Sequence, residues 1–424
     1  MNTLHHATDT WINTHFPEQV AFLQALVQVP TDTPPGNNAP HAVKTAELLK
    51  GFGYTAQAYP VPAAAVQAAG LQSITNLIVR REFGAGGKTI ALNAHGDVVP
   101  AGEGWTHAPY GAEIEGDLHT GRMYGRATAV SKGDFTTFTF ALRALEAAAA
   151  ETKTQLKGAV ELHFTYDEEF GGELGPGYLL ANKLTQPDLM IAAGFSYQVV
   201  TAHNGCLQLE VTVHGKMAHA AIPESGIDAL QGANAIMSAL YAENVKYKAV
   251  KSKVTGINHP YINIGLISGG TNTNVIPGTV VLKVDRRMIP EEDPTTVEAN
   301  VRAVIQGAIN GLAASTENAR GCTVEIKRML LARALAPLAG NAPLVAAIQT
   351  HGEAIFGEPI PAVGTPLYTD VRLYGEAGIP GVIYGAGPRT VLESNAKRAD
   401  ERLELADLRR ATQVIARTLA DLLA

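Results

Sequence analysis

The chain has 424 residues, 46% of them apolar and 17% charged, and its 33 basic and 40 acidic residues leave a formal net charge of −7. That length supports a sizeable core and two or three domains, and the mildly acidic balance argues against a nucleic-acid-binding surface, which needs concentrated positive charge. Two cysteines, Cys206 and Cys322, cannot staple so long a chain, so a reducing compartment is the expectation.

The opening stretch MNTLHHATDT WINTHFPEQV has neither the basic nor the apolar segment of a secretory signal. The most apolar run elsewhere, Phe138 to Ala150, carries Arg143 and Glu146 and is too short to span a bilayer. A cytoplasmic protein that engages neither membrane nor nucleic acid is expected.

Pro17 to Val27 and His41 to Leu49 repeat apolar residues at intervals of three and four, the period of helices packed on one face. Ile74 to Arg80 and Thr89 to Ala94 read as strands, the second almost wholly apolar until His95. Phe135 to Ala150 reads as a helix, Ala159 to Tyr166 as a strand running into Asp-Glu-Glu, and Leu189 to Ala193 as another strand. This alternation predicts an α/β domain with an open, mostly parallel sheet covered by helices.

The pattern changes after His203-Asn204-Gly205. CLQLEVTVHG alternates cleanly, Gly226 to Leu240 and Thr296 to Ala313 read as helices, and Tyr261 to Leu266, Thr279 to Val284 and Cys322 to Leu330 as strands. Clean alternation marks sheets with one solvated face. We therefore expect residues 205–333 to form an inserted lid or dimerisation domain of antiparallel strands and helices, with 1–204 and 334–424 forming the α/β domain. The first pattern resumes with Pro343 to Phe356, Gly381 to Tyr384 and Leu405 to Leu423. Lys246, Lys248, Lys251 and Lys253 read as a solvated loop.

Ionisable groups concentrate at His95 with Asp97, at Asp167-Glu168-Glu169 and at Asp370. A His-x-Asp pair lets the carboxylate hold one imidazole nitrogen while the other faces outward, as metal-bound histidines do. Successive acidic residues repel one another unless a cation or base chemistry offsets them. From these residues alone, a metal or acid–base site and a set of hydrogen-bonded core groups stay equally open. Ser131-Lys132 suggests a Lys-activated serine, but no second motif supports it.

In chain order, LNAHGDVVPAGEGWTHAPYG with GRMYGR after it, TYDEEFGGELG, TAHNG with VTVHGKMAHAAIPESGIDAL, GGTNTNVIPG, DRRMIPEED and TDVRLYGEAGIPGVIYGAGP resemble successive landmarks of one zinc family. That family contains acetylornithine deacetylase, succinyl-diaminopimelate desuccinylase, aminoacylase and carboxypeptidases of the glutamate type, and the matching segments cover almost the whole chain. The resemblance implies hydrolysis of a small amide or N-acylated amino-acid-like anion. In that family, two zinc or similar ions share a bridging Asp and polarise the carbonyl while a Glu takes a proton from water. Carried onto this sequence, it implies His95 as ligand of one metal with Asp97 orienting it, Glu168 as general base, and Glu169 as ligand of the other metal. His219 and Asn274 would reach the substrate, Arg287 would grip its carboxylate, and a homodimer would form through the inserted domain with His219 entering the partner's cleft.

The departures from the family pattern are specific. GRATAVSKGD places Val130 where the bridging Asp belongs, IAAGFSYQ lacks the acidic ligand expected near Ala193, and Lys397-Arg398-Ala399-Asp400-Glu401 puts Lys397 in the place of a ligand His. His95 and Glu169 remain, one for each metal, which is too few for two zinc ions. Lys397 is expected to pair with Glu169 or Glu168. Asp134, four residues after Val130, either caps its helix or joins His95 and Glu169 around one relocated ion. The expectation is one weakly held zinc or manganese ion or none, in an atypical hydrolase or in a non-catalytic descendant that binds a small acid or a protein.

Overall fold

In the computed structural model, which describes residues 3–315 and 319–424, the chain divides into two compact units. One comprises Met1–Thr201, Pro337–Val363 and Thr369–Ala424; the other comprises Ala202–Ala336 and Gly364–Tyr368.

The apolar run Thr89–His95 becomes a strand buried at every position after the first. It pairs in parallel with Gly158–Thr165 on one side and Leu189–Ala192 on the other, and Gly381–Ile383 extends the parallel set. Strands flanked on both sides and covered on both faces need apolar residues throughout, which is why alternation is absent here. Outside this centre the pairing turns antiparallel: Thr75–Gly84 runs against both Gly158–Thr165 and Gln57–Pro60, and Gly381–Ile383 against Val199–His203. The eight-stranded sheet is thus parallel at its core and mixed at its edges.

The helices Thr3–Val27, Lys132–Thr152, Ala342–Phe356 and Leu405–Leu423 pack on one another and share a core with the sheet. The first half of Lys132–Thr152 is buried all round, Thr136, Thr137 and Thr139 included, as in an interior helix, and the helix buries Phe135, Phe138, Phe140, Leu142 and Leu145. Each such side chain contributes about 1.5–3 kcal/mol of transfer free energy. This helix starts at Lys132, three residues earlier than the apolar pattern predicts, and so takes Asp134 into its first turn.

In the second unit the sheet order is Tyr261–Gly269, Thr279–Met288, Gly205–His214, Thr323–Ala332, all antiparallel. Leu207, Leu209, Val211 and Val213 alternate inward against Val280, Leu282 and Val284. The Ala229–Tyr247 helix is capped by Asp228, whose carboxylate accepts from Leu230 N at 2.9 Å and Gln231 N at 3.3 Å. That helix runs to Tyr247, so Lys246 lies in its last turn rather than in the loop expected from its charge.

Short elements such as Gln57–Pro60, Glu113–Glu115, Arg122–Tyr124 and Arg402–Glu404 were not expected, because three or four residues carry no readable period. No described helix is long and apolar enough to cross a membrane.

Candidate functional site

The parallel strands deliver the ionisable groups to one end of the sheet. Thr89–His95 ends in His95, followed by the fully buried Asp97, and Gly158–Thr165 runs into Asp167 and a single turn over Glu168–Phe170. His95 Nδ1 lies 3.0 Å from the Asp97 carbonyl oxygen and 3.4 Å from Asp97 Oδ1. Its Nε2 faces Glu168 Oε2 at 3.8 Å. The other Asp97 oxygen accepts from Glu169 N at 3.0 Å, so one carboxylate fixes both the histidine and the acidic turn.

Lys397 enters from a distant part of the chain, and its Nζ lies 2.6 Å from Glu169 Oε2. It sits at φ +62° in a loop where Asn395 and Asp400 also have positive φ, a conformation held by hydrogen bonds on both sides. Asp400 accepts from Thr106 N at 2.8 Å and His107 N at 3.2 Å. Glu401, only 1% exposed, accepts from Arg126 Nη1 at 2.5 Å, from Ala129 N and Val130 N at 3.3 Å, and from Lys397 N at 3.4 Å. Glu401 therefore ties the Arg126–Val130 segment to the Lys397 loop. Neither Arg126 nor this role of Glu401 was anticipated, although Glu401 was visible as the last residue of the Lys397 motif.

The electrostatics are dominated by crowded carboxylates. Burial pushes Glu168 up to about 7, with His95 opposing and Glu169 reinforcing the shift. Burial works against charge on His95, but Glu168 and Asp97 outweigh it and lift the imidazole to about 10. Burial likewise opposes charge on Lys397, yet Glu169 and Glu168 hold its ammonium above the ordinary lysine value. Asp167 and Asp370 are held well above the usual carboxylate range, first by burial and then by neighbouring acids. Asp370 stands at the N-cap position of the short helix Val371–Glu376, without a capping hydrogen bond from its side chain. It packs so closely on Gly172, at φ +79°, that a side chain there would strike its Oδ1.

Asp134 is brought to the same end of the sheet but turned elsewhere. Its Oδ1 accepts from Ala386 N at 2.6 Å, and Gly194 supplies a second backbone hydrogen bond. It therefore neither caps its own helix nor joins His95 and Glu169 as a third metal donor. The segment after Leu189–Ala192 is stitched to the same region by Ser196 Oγ donating to the Gly387 carbonyl at 2.8 Å, and it presents no acid. Ser131 Oγ donates to the His95 carbonyl at 2.8 Å and accepts from His95 N at 3.0 Å, while Lys132 Nζ donates to the Val29 carbonyl at 2.8 Å. Both members of the suspected serine–lysine pair are thus bound to backbone.

In the second unit, strand Ala218–His219 pairs with Val275–Ile276, and Ala220 N donates to the Asn274 carbonyl at 3.0 Å, which brings His219 and Asn274 together on an exposed edge. His219 Nδ1 accepts from Ala221 N at 3.1 Å. Arg287 is held by Asp285, with Nε 2.7 Å from Oδ1 and Nη2 3.2 Å from Oδ2, so part of its donor capacity is already used.

The residues do not fit a two-ion centre. Val130 cannot ligate, the Lys397 ammonium occupies Glu169, and the loop after Ala192 supplies no carboxylate. Among the described residues one group of three close His, Cys, Asp or Glu donors occurs, His5 with His351 and Asp421, and it includes none of the residues around Glu168.

Residues 91–421 match the family model of peptidase family M20/M25/M40, and the chain belongs to this family. It is 28% identical over 369 residues to acetylornithine deacetylase of Myxococcus xanthus, covering 83% of this chain and 85% of that protein. It is 30% identical over 280 residues to succinyl-diaminopimelate desuccinylase of Gluconobacter oxydans (strain 621H), covering 64% and 67%. The fold resembles an M20 family metallo-carboxypeptidase, Sso-CP2, from Sulfolobus solfataricus with a TM-score of 0.74 at 18% identity over 95% of this chain and 98% of the other. Human carnosine dipeptidase 1 superposes with a TM-score of 0.73 at 15% identity over 99% and 98%. The chain is thus built as a hydrolase of small amide- or peptide-like substrates with an incomplete family metal site.

Proposed function

We propose that this chain cleaves a small anionic amide of the N-acylated amino-acid type, by hydrolysis or a related elimination, without the two-ion centre of its family. The observation that carries the reading is the ion pair between Lys397 and Glu169, next to a Glu168 that burial raises to about 7. A carboxyl group poised near neutrality is suited to taking a proton from water and returning it to a leaving amine. The half-exposed Lys397 ammonium offers a fixed positive charge for the oxygen on which negative charge develops. His95, oriented by Asp97, is a second donor beside Glu168. Two of the sequence relatives are named for an acetylated and a succinylated substrate, which supports an acylated amino compound. Asn274, His219 and Arg287 are the proposed substrate contacts, Arg287 with the donor capacity that Asp285 leaves.

A second reading is favoured by the same ion pair, because Lys397 also neutralises the cleft as a mere scaffold would require: a non-catalytic descendant that binds a small acid. Turnover of N-acyl amino acids and dipeptides, measured before and after chelation, decides between them. Activity that survives chelation and disappears in Glu168→Gln is expected. Activity restored only by added metal overturns the proposed mechanism, and saturable anion binding without turnover establishes the second reading.

A further inference from the structure

Three helices converge on one carboxylate. His5 lies in the first turn of Thr3–Val27, His351 near the middle of Ala342–Phe356, and Asp421 in the last turn of Leu405–Leu423. His5 Nε2 is 2.7 Å from Asp421 Oδ1, and His351 Nε2 is 2.6 Å from Asp421 Oδ2. The two imidazole rings approach edge to face, with centroids 4.8 Å apart at 81°. The side chains of His5 and His351 are 13% and 6% exposed, whereas Asp421 is 40% exposed, so the group is walled on the histidine side and open to water on the other.

We propose that His5, His351 and Asp421 form a binding site for one divalent transition-metal ion of the zinc class, separate from the residues around Glu168. The donor set is two imidazoles and a carboxylate, the combination found in catalytic zinc sites that keep an open fourth position. Tetrahedral bonds of about 2.0–2.1 Å place donor atoms roughly 3.3 Å apart. All three donor atoms here already lie within 4.8 Å of one another, close to the spacing that an ion requires.

The helix ends point the same way. Asp421 sits at a helix C-terminus, where unpaired carbonyls repel a carboxylate and favour a cation, and that last turn carries no basic residue. Arg417, whose charge reaches His351, is instead engaged by Asp9. An ion here would clamp three helices whose residues are far apart in sequence, and it would stabilise the folded state by preferential binding.

The proposal stands independently of the reading of the cleft. Zinc is titrated into the tag-free full-length chain, with uptake and thermal midpoint read together, for wild type, His5→Gln/His351→Gln, Asp421→Asn and Glu169→Gln. Wild type is expected to take up about one ion per chain and to gain roughly 2 °C or more in midpoint. His5→Gln/His351→Gln and Asp421→Asn should lose at least about tenfold in affinity along with the midpoint shift, as a lost ligand implies. Glu169→Gln should keep both. Asp421→Asn retains a hydrogen-bond acceptor for the histidines and so keeps the test readable if the double variant fails to fold. Absence of saturable uptake, or uptake that survives in Asp421→Asn, overturns the site; uptake lost in Glu169→Gln alone places the ion among the cleft residues and overturns it equally.

Discussion

Lys397 and Glu169 are 228 positions apart in sequence, and the Lys397 ammonium meets the Glu169 carboxylate at 2.6 Å. Glu169 is nearly buried and Lys397 half-exposed, so the pair lies between the surface case, worth little, and the buried case, where breaking the pair is severe. Lys397→Met is expected to destabilise the protein by about 1–2 kcal/mol, because the neighbouring carboxylates lose their counter-charge. Lys397→Arg should restore most of that loss. Urea denaturation midpoints check both, and a Lys397→Met variant as stable as wild type would show that the pair contributes nothing.

Metal content follows from the same geometry. The purified protein is expected to hold no two-zinc centre and at most one weakly bound divalent ion per chain after dialysis, measured by elemental analysis. Val130→Asp with Lys397→His should raise uptake, since it restores two donors, and histidine tolerates the positive φ at position 397 better than most residues. Unchanged metal content in the double variant would assign the deficit to the acid missing from the loop after Ala192.

Glu168→Gln separates activity from stability. If Glu168 is the base, turnover should fall by about 10²–10⁴-fold. A carboxyl group whose folded pKa is raised contributes stability that is complete below its unfolded value and is lost as pH rises through about 7. The variant should therefore be as stable as wild type at pH 5 and relatively more stable at pH 8. In wild type, kcat/KM should rise with pH through an inflection near 7 as the base deprotonates. Calorimetry at the two pH values and a pH–rate profile read these outcomes, and a flat profile across pH 6–8 would remove Glu168 from the role.

Arg126 and Glu401 form a buried pair, 2% and 1% exposed, and Glu401 has no other charged partner among its hydrogen bonds. Arg126→Leu should cost about 3–5 kcal/mol by stranding that carboxylate. Glu401→Gln added to Arg126→Leu should recover part of the loss. Additive destabilisation in the double variant would contradict a direct pairing.

The second unit leaves Tyr261, Leu266 and Ile267 exposed on Tyr261–Gly269, an edge strand of its sheet. An uncovered apolar edge invites strand pairing, and we expect a two-fold homodimer through it. Leu266→Arg with Ile267→Glu should convert the dimer to monomer in sedimentation at micromolar concentration. A wild-type monomer under the same conditions would end this expectation.

The sheet and its helices were largely legible in the sequence, because the buried strand Thr89–His95 and the alternating strand Gly205–His214 each display their burial within ten residues or fewer. Val130 and Lys397 were likewise singled out from the sequence alone, since each stands in a short segment whose spacing can be read without the fold. Periodicity and motif spacing are local properties of the chain, and a linear reading recovers them.

Which group satisfies a buried charge is not local, and only the tertiary structure decided it. Asp134 stood open between a helix cap and a metal ligand until folding brought the Ala386 amide, 252 positions away, to its carboxylate. Glu401 reads as the end of one motif, yet it anchors Arg126 and Val130 from 275 and 271 positions downstream. His5 and Asp421 are separated by 416 positions and share a hydrogen bond. The physical reason is that desolvating a charge is costly enough to require a partner, but packing of distant segments selects which partner arrives.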